Sequence, residues 1–273
     1  MMYKITKQAD NNCFAPLFKR IEELLQDKEQ VTIAIDGNCA SGKSTLAALL
    51  KSMYDCNVFA MDDFFLQPFQ RTPKRYEQPG GNVDYERFQE EVLNPLLKGE
   101  PFSYRQFDCM TMAFKEEKVN VSPRSLQVIE GAYSLHPYFE KADTISEALA
   151  SELCVSVDEI PQAGEPQGSA FSRTSSEANC ECPLNKADTI SEANASELCV
   201  SVDEIPQSGK PQGLAYDLKI LLTIEPAEQR RRLKIRNPDK YERFIREWMP
   251  YENKYLESFA IAKKCDMIFH VEG

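Results

Sequence analysis

Outside one central stretch, apolar residues fall into short runs separated by longer amphipathic segments. Residues 31–35, 57–61, 126–129, 219–224 and 267–270 are short apolar runs bounded by polar or turn residues, and they predict strands. Between and beside them, apolar positions recur at helical spacing over 15–26, 42–54, 85–98, 227–236 and 240–263. The last of these is expected to break around Pro250, whose ring cannot continue an ordinary α-helical ladder. Strands alternating with helices predict an α/β fold, a parallel sheet flanked by helices on both faces, with its ligand at the carboxyl ends of the strands.

Residues 141–215 break the pattern. KADTISEALASELCVSVDEIPQAGEPQG at 141–168 recurs at 186–213 as KADTISEANASELCVSVDEIPQSGKPQG, identical at 25 of 28 positions. Two such copies predict a duplicated insertion, since a solenoid needs three or more repeats to bury a continuous core. The TISE run at 144–147 matches a capping box, so a short amphipathic helix is expected in each copy. The remainder, rich in Ser, Glu, Pro, Gln and Gly, is too polar to order itself well and predicts a mobile segment. The stretch holds thirteen Asp/Glu against four Lys/Arg, a net −9 of the chain's −11. Residues 1–140 and 216–273, 198 in all, then make one near-neutral domain interrupted by a long acidic insertion.

The wider composition narrows the class. A hydrophobic content of 42% is enough for a core, and no run approaches the ~20 apolar residues of a membrane span. The first residues lack the apolar segment of a signal peptide, which predicts a cytoplasmic protein. Nine cysteines are scattered along the chain with one close pair, Cys180 and Cys182. That pattern predicts reduced thiols rather than disulfides or zinc.

The chemistry starts at 37–44, where GNCASGKS completes the pattern GxxxxGK[ST] between a predicted strand and a predicted helix. Gly37 and Gly42 allow the tight turn, and the backbone N–H groups of Asn38, Cys39, Ala40, Ser41 and Thr45 join theirs around phosphate oxygens at a helix N-terminus. Lys43 is expected to reach the β- and γ-phosphates and Ser44 to hold Mg²⁺. Asp62 and Asp63 follow one strand and Glu130 another, at the same sheet edge as the loop. Carboxylates there can take a proton from an attacking hydroxyl or hold the metal, unless they only cap the next turn. Six arginines, at 230, 231, 232, 236, 243 and 246, follow the strand at 219–224. They form either a solvated helix face, with Glu228 and Arg232 as an i,i+4 pair, or a lid over the triphosphate.

The ordered set AIDGNCASGKST at 34–45, MDDFF at 61–65, NVD at 82–84, Tyr104, VIEG at 128–131, SLHP at 134–137 and the arginine stretch resembles the uridine kinase-like P-loop kinases, relatives of phosphoribulokinase and pantothenate kinase. The resemblance covers nearly the whole chain outside 141–215. It implies that Asp62 is the base facing the substrate hydroxyl, that Ser44, Asp62 and Glu130 serve Mg²⁺, and that Arg231, Arg232 and Arg236 lie in the lid. It places Asp84 on ribose hydroxyls and Tyr104 near a base, with Arg105 beside it in the acceptor site. The histidine that reads the pyrimidine edge in uridine kinases is replaced near Cys109, which removes a hydrogen-bond partner on which selection of uridine rests. His136 is read as a helix-start or core histidine.

Together these readings predict a cytoplasmic kinase that uses ATP and Mg²⁺ to phosphorylate a small-molecule alcohol, foremost the 5′-hydroxyl of a nucleoside such as uridine or cytidine. Lys43, Asp62, Arg232 and Arg236 are the expected catalytic residues. No nucleic-acid or membrane partner is expected, and a homo-oligomer is left open. The alternatives are a same-fold kinase for pantothenate or a sugar phosphate, a P-loop switch or transport ATPase, and an idle scaffold.

Overall fold

The computed structural model describes residues 2–5, 11–139 and 216–272. The repeats, their expected helices and the rest of 141–215 lie outside the described residues. Those described pack as one unit.

Six parallel strands run in the order β1, β8, β7, β2, β6, β3. They are β1 (Met2–Ile5), β2 (Val31–Gly37), β3 (Cys56–Ala60), β6 (Leu126–Glu130), β7 (Leu218–Ile224) and β8 (Met267–Val271). β2 and β6 are buried along their whole length, as expected where helices cover both faces of a parallel sheet. On one face Ile33 and Ile35 meet Leu17, Ile21 and Leu24 of α1 (Ala15–Asp27) and Leu46 and Leu50 of α2 (Lys43–Met53). On the other, Ala34 and Ile129 meet Phe64, Phe88 and Tyr255. All five predicted strands are present and form the sheet's interior and one edge, with β1 added at the other.

Two features differ from expectation. Phe102–Asp108 (β4) and Ala113–Val121 (β5) form a separate antiparallel hairpin that the apolar pattern does not announce. β5 is mostly exposed, so Lys and Glu dominate it, and only alternate residues such as Val121 reach the core. The other difference concerns proline. Met249–Ser258 carries Pro250 without a break, because the preceding turn, Phe244–Trp248, widens to a π-helix closed by the Met249 N–H on the Phe244 carbonyl. The wide turn supplies the room that a proline ring needs. The same device precedes Pro95, where Gln89–Leu93 is π-helical between α4 (Tyr85–Phe88) and α5 (Asn94–Lys98). The remaining helices are α3 (Pro73–Glu77), α6 (Pro226–Arg236), α7 (Tyr241–Arg243), α8 (Met249–Ser258) and α9 (Ile261–Lys264). The break falls between α8 and α9, at Ala260, whose φ of 48° ends the helix.

Candidate active site

β2 delivers the phosphate loop. Gly37 has φ 139°, and a Cβ there would stand 1.9 Å from the Leu222 carbonyl oxygen on β7, so no other residue fits. Gly42 has φ 106° and opens α2, whose first N–H groups have no carbonyl one turn back to receive them. Lys43 is buried and donates from Nζ to the carbonyls of Gly37 and Asn38, both at 2.8 Å. Ser41 Oγ is buried in the same loop with no partner among the described residues. A cationic amine held on neutral carbonyls and an orphaned buried hydroxyl in a helix-start cradle fit a bound phosphate.

The strand end is anchored by Asp36, which sequence reasoning does not single out. Its buried carboxylate accepts from the N–H groups of Gly37 (2.6 Å), Tyr133 (3.2 Å) and Leu135 (2.9 Å) and from the Tyr255 hydroxyl (2.7 Å). Burial pushes this carboxyl above its ordinary range, the Tyr255 and backbone bonds opposing. The signal available was an acid placed inside an otherwise apolar, fully buried strand.

Two neighbouring strands bring the acids. A 3₁₀ turn, Met61–Phe64, follows β3 and carries Asp62 and Asp63, while Glu130 is the last residue of β6. Ser44 Oγ donates to Glu130 Oε2 at 3.3 Å. Burial raises the Glu130 carboxyl, with Lys43 opposing and the charge of Asp62 adding to the rise. Asp62 is raised for the same first reason, with Lys43 and Arg236 opposing and Asp63 adding. Lys43, Ser44, Asp62 and Glu130 thus share one electrostatic neighbourhood. No group of three or more His, Cys, Asp or Glu is placed to hold a metal among the described residues. Mg²⁺ needs less, because it keeps waters and is held by one or two carboxylates together with substrate phosphates. The Ser44 hydroxyl and the Asp62 and Glu130 carboxylates suit that role.

The expected acceptor residues divide. Asp84 is buried at the start of α4, where Oδ1 caps the Arg87 N–H at 3.1 Å and Oδ2 lies 3.5 Å from Arg87 Nε. Tyr104 is buried too, its ring packed 5.5 Å from that of Phe64 and its hydroxyl 3.5 Å from Asp63 Oδ2. Arg105, next along β4, turns away to pair with Glu91 and to stack 4.2 Å over Phe114. Gln106 joins the acids instead, donating from Nε2 to Asp63 Oδ2 at 2.8 Å. The period of two along a strand explains the exchange, since Tyr104 and Gln106 share a face that Arg105 cannot. Arg87 ties these parts together, donating to the Asp63 carbonyl (2.7 Å) and the Arg105 carbonyl (2.8 Å) while lying 4.2 Å over the Phe64 ring. Cys109 lies on the hairpin turn, where burial raises its thiol, the Arg71 guanidinium opposing and the charge of Asp62 adding to the rise.

Among the arginines, Arg232 donates to the Ala40 carbonyl in the phosphate loop at 3.2 Å and forms the expected pair with Glu228 at 2.9 Å. Arg231 binds Glu228 as well, and hydrogen bonds from both guanidiniums draw that carboxyl down to about 2. Arg236 acts electrostatically on Asp62 and bonds Asn237 Oδ1 at 2.9 Å. Arg243 and Arg246 pair with Glu247 and Glu242 on an exposed face. Of the three arginines expected in the lid, Arg232 therefore touches the phosphate loop, Arg231 is taken up by Glu228, and exposed Arg236 acts on Asp62 through its charge, while Arg243 and Arg246 lie on a solvated face. His136 is a core histidine, stacked on Tyr85 with ring centroids 4.4 Å apart.

Phosphate loop, parallel sheet and flanking helices make this a P-loop α/β fold. The sequence matches no protein-family model and no curated protein. Among solved structures, the chain is similar to one described as a possible uridine kinase from Bacillus stearothermophilus, at 16% identity and a TM-score of 0.45, over 93% of this chain and 99% of that one. It is also similar to a structure assigned as a fructose transport system kinase from Silicibacter sp. TM1040, at 17% identity and a TM-score of 0.45, over 93% and 98%. Among the described residues no helix is long and apolar enough to cross a membrane.

Proposed function

We propose that this chain is a small-molecule kinase that moves the γ-phosphoryl of ATP to an alcohol, foremost the 5′-hydroxyl of a nucleoside. The observation that carries the reading is the meeting of Lys43, Ser44, Asp62 and Glu130 at the carboxyl ends of three strands, with Arg232 bonding the phosphate loop from α6 and the charge of Arg236 acting on Asp62. In this reading Asp62 accepts the proton of the attacking hydroxyl. Its raised affinity for a proton brings it closer to the operating pH, where general bases are most effective. Lys43 and the loop amides hold the phosphoryl oxygens, and Arg232 and Arg236 offset the charge that spreads over them in transfer. Ser44, Asp62 and Glu130 would hold Mg²⁺, which when bound would neutralise negative charge on the phosphates.

A second reading keeps the reaction and changes the acceptor to a non-nucleoside alcohol, such as pantothenate or a sugar phosphate. It is favoured by the engagement of Asp84 with Arg87 and of the Tyr104 ring with the core, while Asp63, next to Asp62 in the chain, accepts from the Gln106 amide. ADP release measured across uridine, cytidine, pantothenate and sugar phosphates distinguishes the two. Slow hydrolysis that no alcohol stimulates would instead indicate a switch or transport ATPase.

A further inference from the structure

Glu252, on α8, has no part in the transfer chemistry above, yet it lies against the phosphate loop. It is 6% exposed, and its Oε2 accepts the Cys39 N–H at 2.8 Å. Beside it Asn253 Oδ1 accepts from Asn38 Nδ2 at 3.3 Å. From α6, Gln229 Nε2 donates to the Cys39 carbonyl at 3.0 Å and to its sulfur at 3.2 Å. One loop residue is thus held by two helices.

The surroundings of Glu252 separate it from an ordinary cap. The charged and titratable groups facing it are Lys43, the Cys39 thiol, Asp36 and Tyr133. Lys43 is the cation of that set, and its ammonium bonds the Gly37 and Asn38 carbonyls rather than Glu252. Burial pushes the Glu252 carboxyl up, with Lys43 the main opposing influence. A buried carboxylate in this position depends on a cation that a phosphate ligand would also claim.

We propose that Glu252 is a positioning residue of the nucleotide site, acting through Cys39 and Lys43, and that entry of phosphates into the loop is coupled to uptake of a proton from solvent at Glu252. This rests on the phosphate loop binding nucleotide, as proposed above. Phosphates bring negative charge into the loop and draw the field of Lys43 onto themselves. Both changes favour the neutral acid. A protonated carboxyl keeps a carbonyl oxygen to accept the Cys39 N–H, so the loop can keep its shape through the change. The sign follows from linkage. Binding is strongest where Glu252 is protonated in both states, and it weakens as pH rises past the free-state value, about tenfold for each unit by which the ligand raises that value.

The test is isothermal titration calorimetry of the full chain with ADP, without divalent ions, at pH 7.5 in buffers of differing ionisation enthalpy. Wild type should take up more protons than Glu252→Gln, which keeps an acceptor for Cys39 but cannot titrate. The ADP dissociation constant of Glu252→Gln should also change less between pH 6.5 and 8.5. Glu252→Ala, which loses the acceptor, should bind ADP about tenfold more weakly at either pH. Equal proton uptake in wild type and Glu252→Gln overturns the coupling while leaving the nucleotide reading intact. Failure of wild type to bind ADP overturns both. Should the variants not fold, infrared difference spectra of wild type with and without ADP decide the matter: a new protonated-carboxyl band supports the coupling, and its absence overturns it.

Discussion

The Tyr255 hydroxyl, on α8, donates at 2.7 Å to the carboxylate of Asp36, the residue that precedes the first glycine of the phosphate loop. Both groups are buried, and the same carboxylate holds the Gly37 N–H. The C-terminal helix therefore fixes the point where the loop leaves the sheet. Tyr255→Phe keeps the ring but removes a donor from a buried acid, which should cost about 1–3 kcal/mol of stability. Urea unfolding measures this. An unchanged midpoint would mean that the backbone donors alone satisfy Asp36.

Lys43→Ala removes the cation from the loop and with it the charge placed to stabilise the transferring phosphoryl. Turnover should fall by roughly 10²–10³-fold or more, the scale seen when a preorganised electrostatic contact is lost. Because Nζ bonds the Gly37 and Asn38 carbonyls and no other group among the described residues, the sheet should stay intact, as circular dichroism can show. Near-normal turnover at saturating ATP would remove Lys43 from the mechanism.

Three aspartates are expected to give three phenotypes. Asp62→Asn should lower kcat by about 10²–10⁴-fold with little change in ATP affinity, as loss of a general base does. Asp63→Asn should mainly raise the acceptor KM, since its carboxylate lies beside the base and is oriented by Gln106. Asp84→Ala should act on the fold, because it removes the cap of α4 and leaves buried Arg87 short of a partner. Its thermal midpoint should drop, whereas those of the other two variants stay near wild type. An Asp84→Ala protein of normal stability with a raised acceptor KM would return Asp84 to the substrate.

What the sequence disclosed, and what it did not, has a physical pattern. The core strands were legible because a parallel strand buried on both faces is a nearly continuous apolar run, and β2 and β6 are buried along their length. The phosphate loop was legible because its geometry permits few residues, as Gly37 against Leu222 illustrates. The hairpin was obscured by the charged, exposed face of β5. Arg105 is the residue the sequence offers beside Tyr104, and that Gln106 faces the acids instead shows only once the strand's register is known. Asp36 and Glu252 escaped notice for another reason: their partners lie far along the chain, and only the folded sheet brings Tyr255 and Cys39 to them.

His136 supplies the clearest pH dependence. Its ring is 7% exposed between Tyr85, Tyr255 and Phe259, and its Nδ1 accepts the Tyr138 N–H at 3.2 Å. Burial lowers its pKa from the ordinary 6.5 to about 4, and the charges of Arg75 and Lys264 act in the same direction. The unfolded chain therefore binds this proton more readily than the folded one. Stability from the neutral ring is fully present above pH 6.5 and is lost as pH falls toward 4, by an amount on the order of 3 kcal/mol. His136→Gln cannot take up that proton. Its unfolding free energy should start lower at pH 7.5, because the ring stacking is gone, but should decline less steeply between pH 6.5 and 4.5. Parallel declines in the two proteins, measured by urea titration at each pH, would assign the acid sensitivity to other groups.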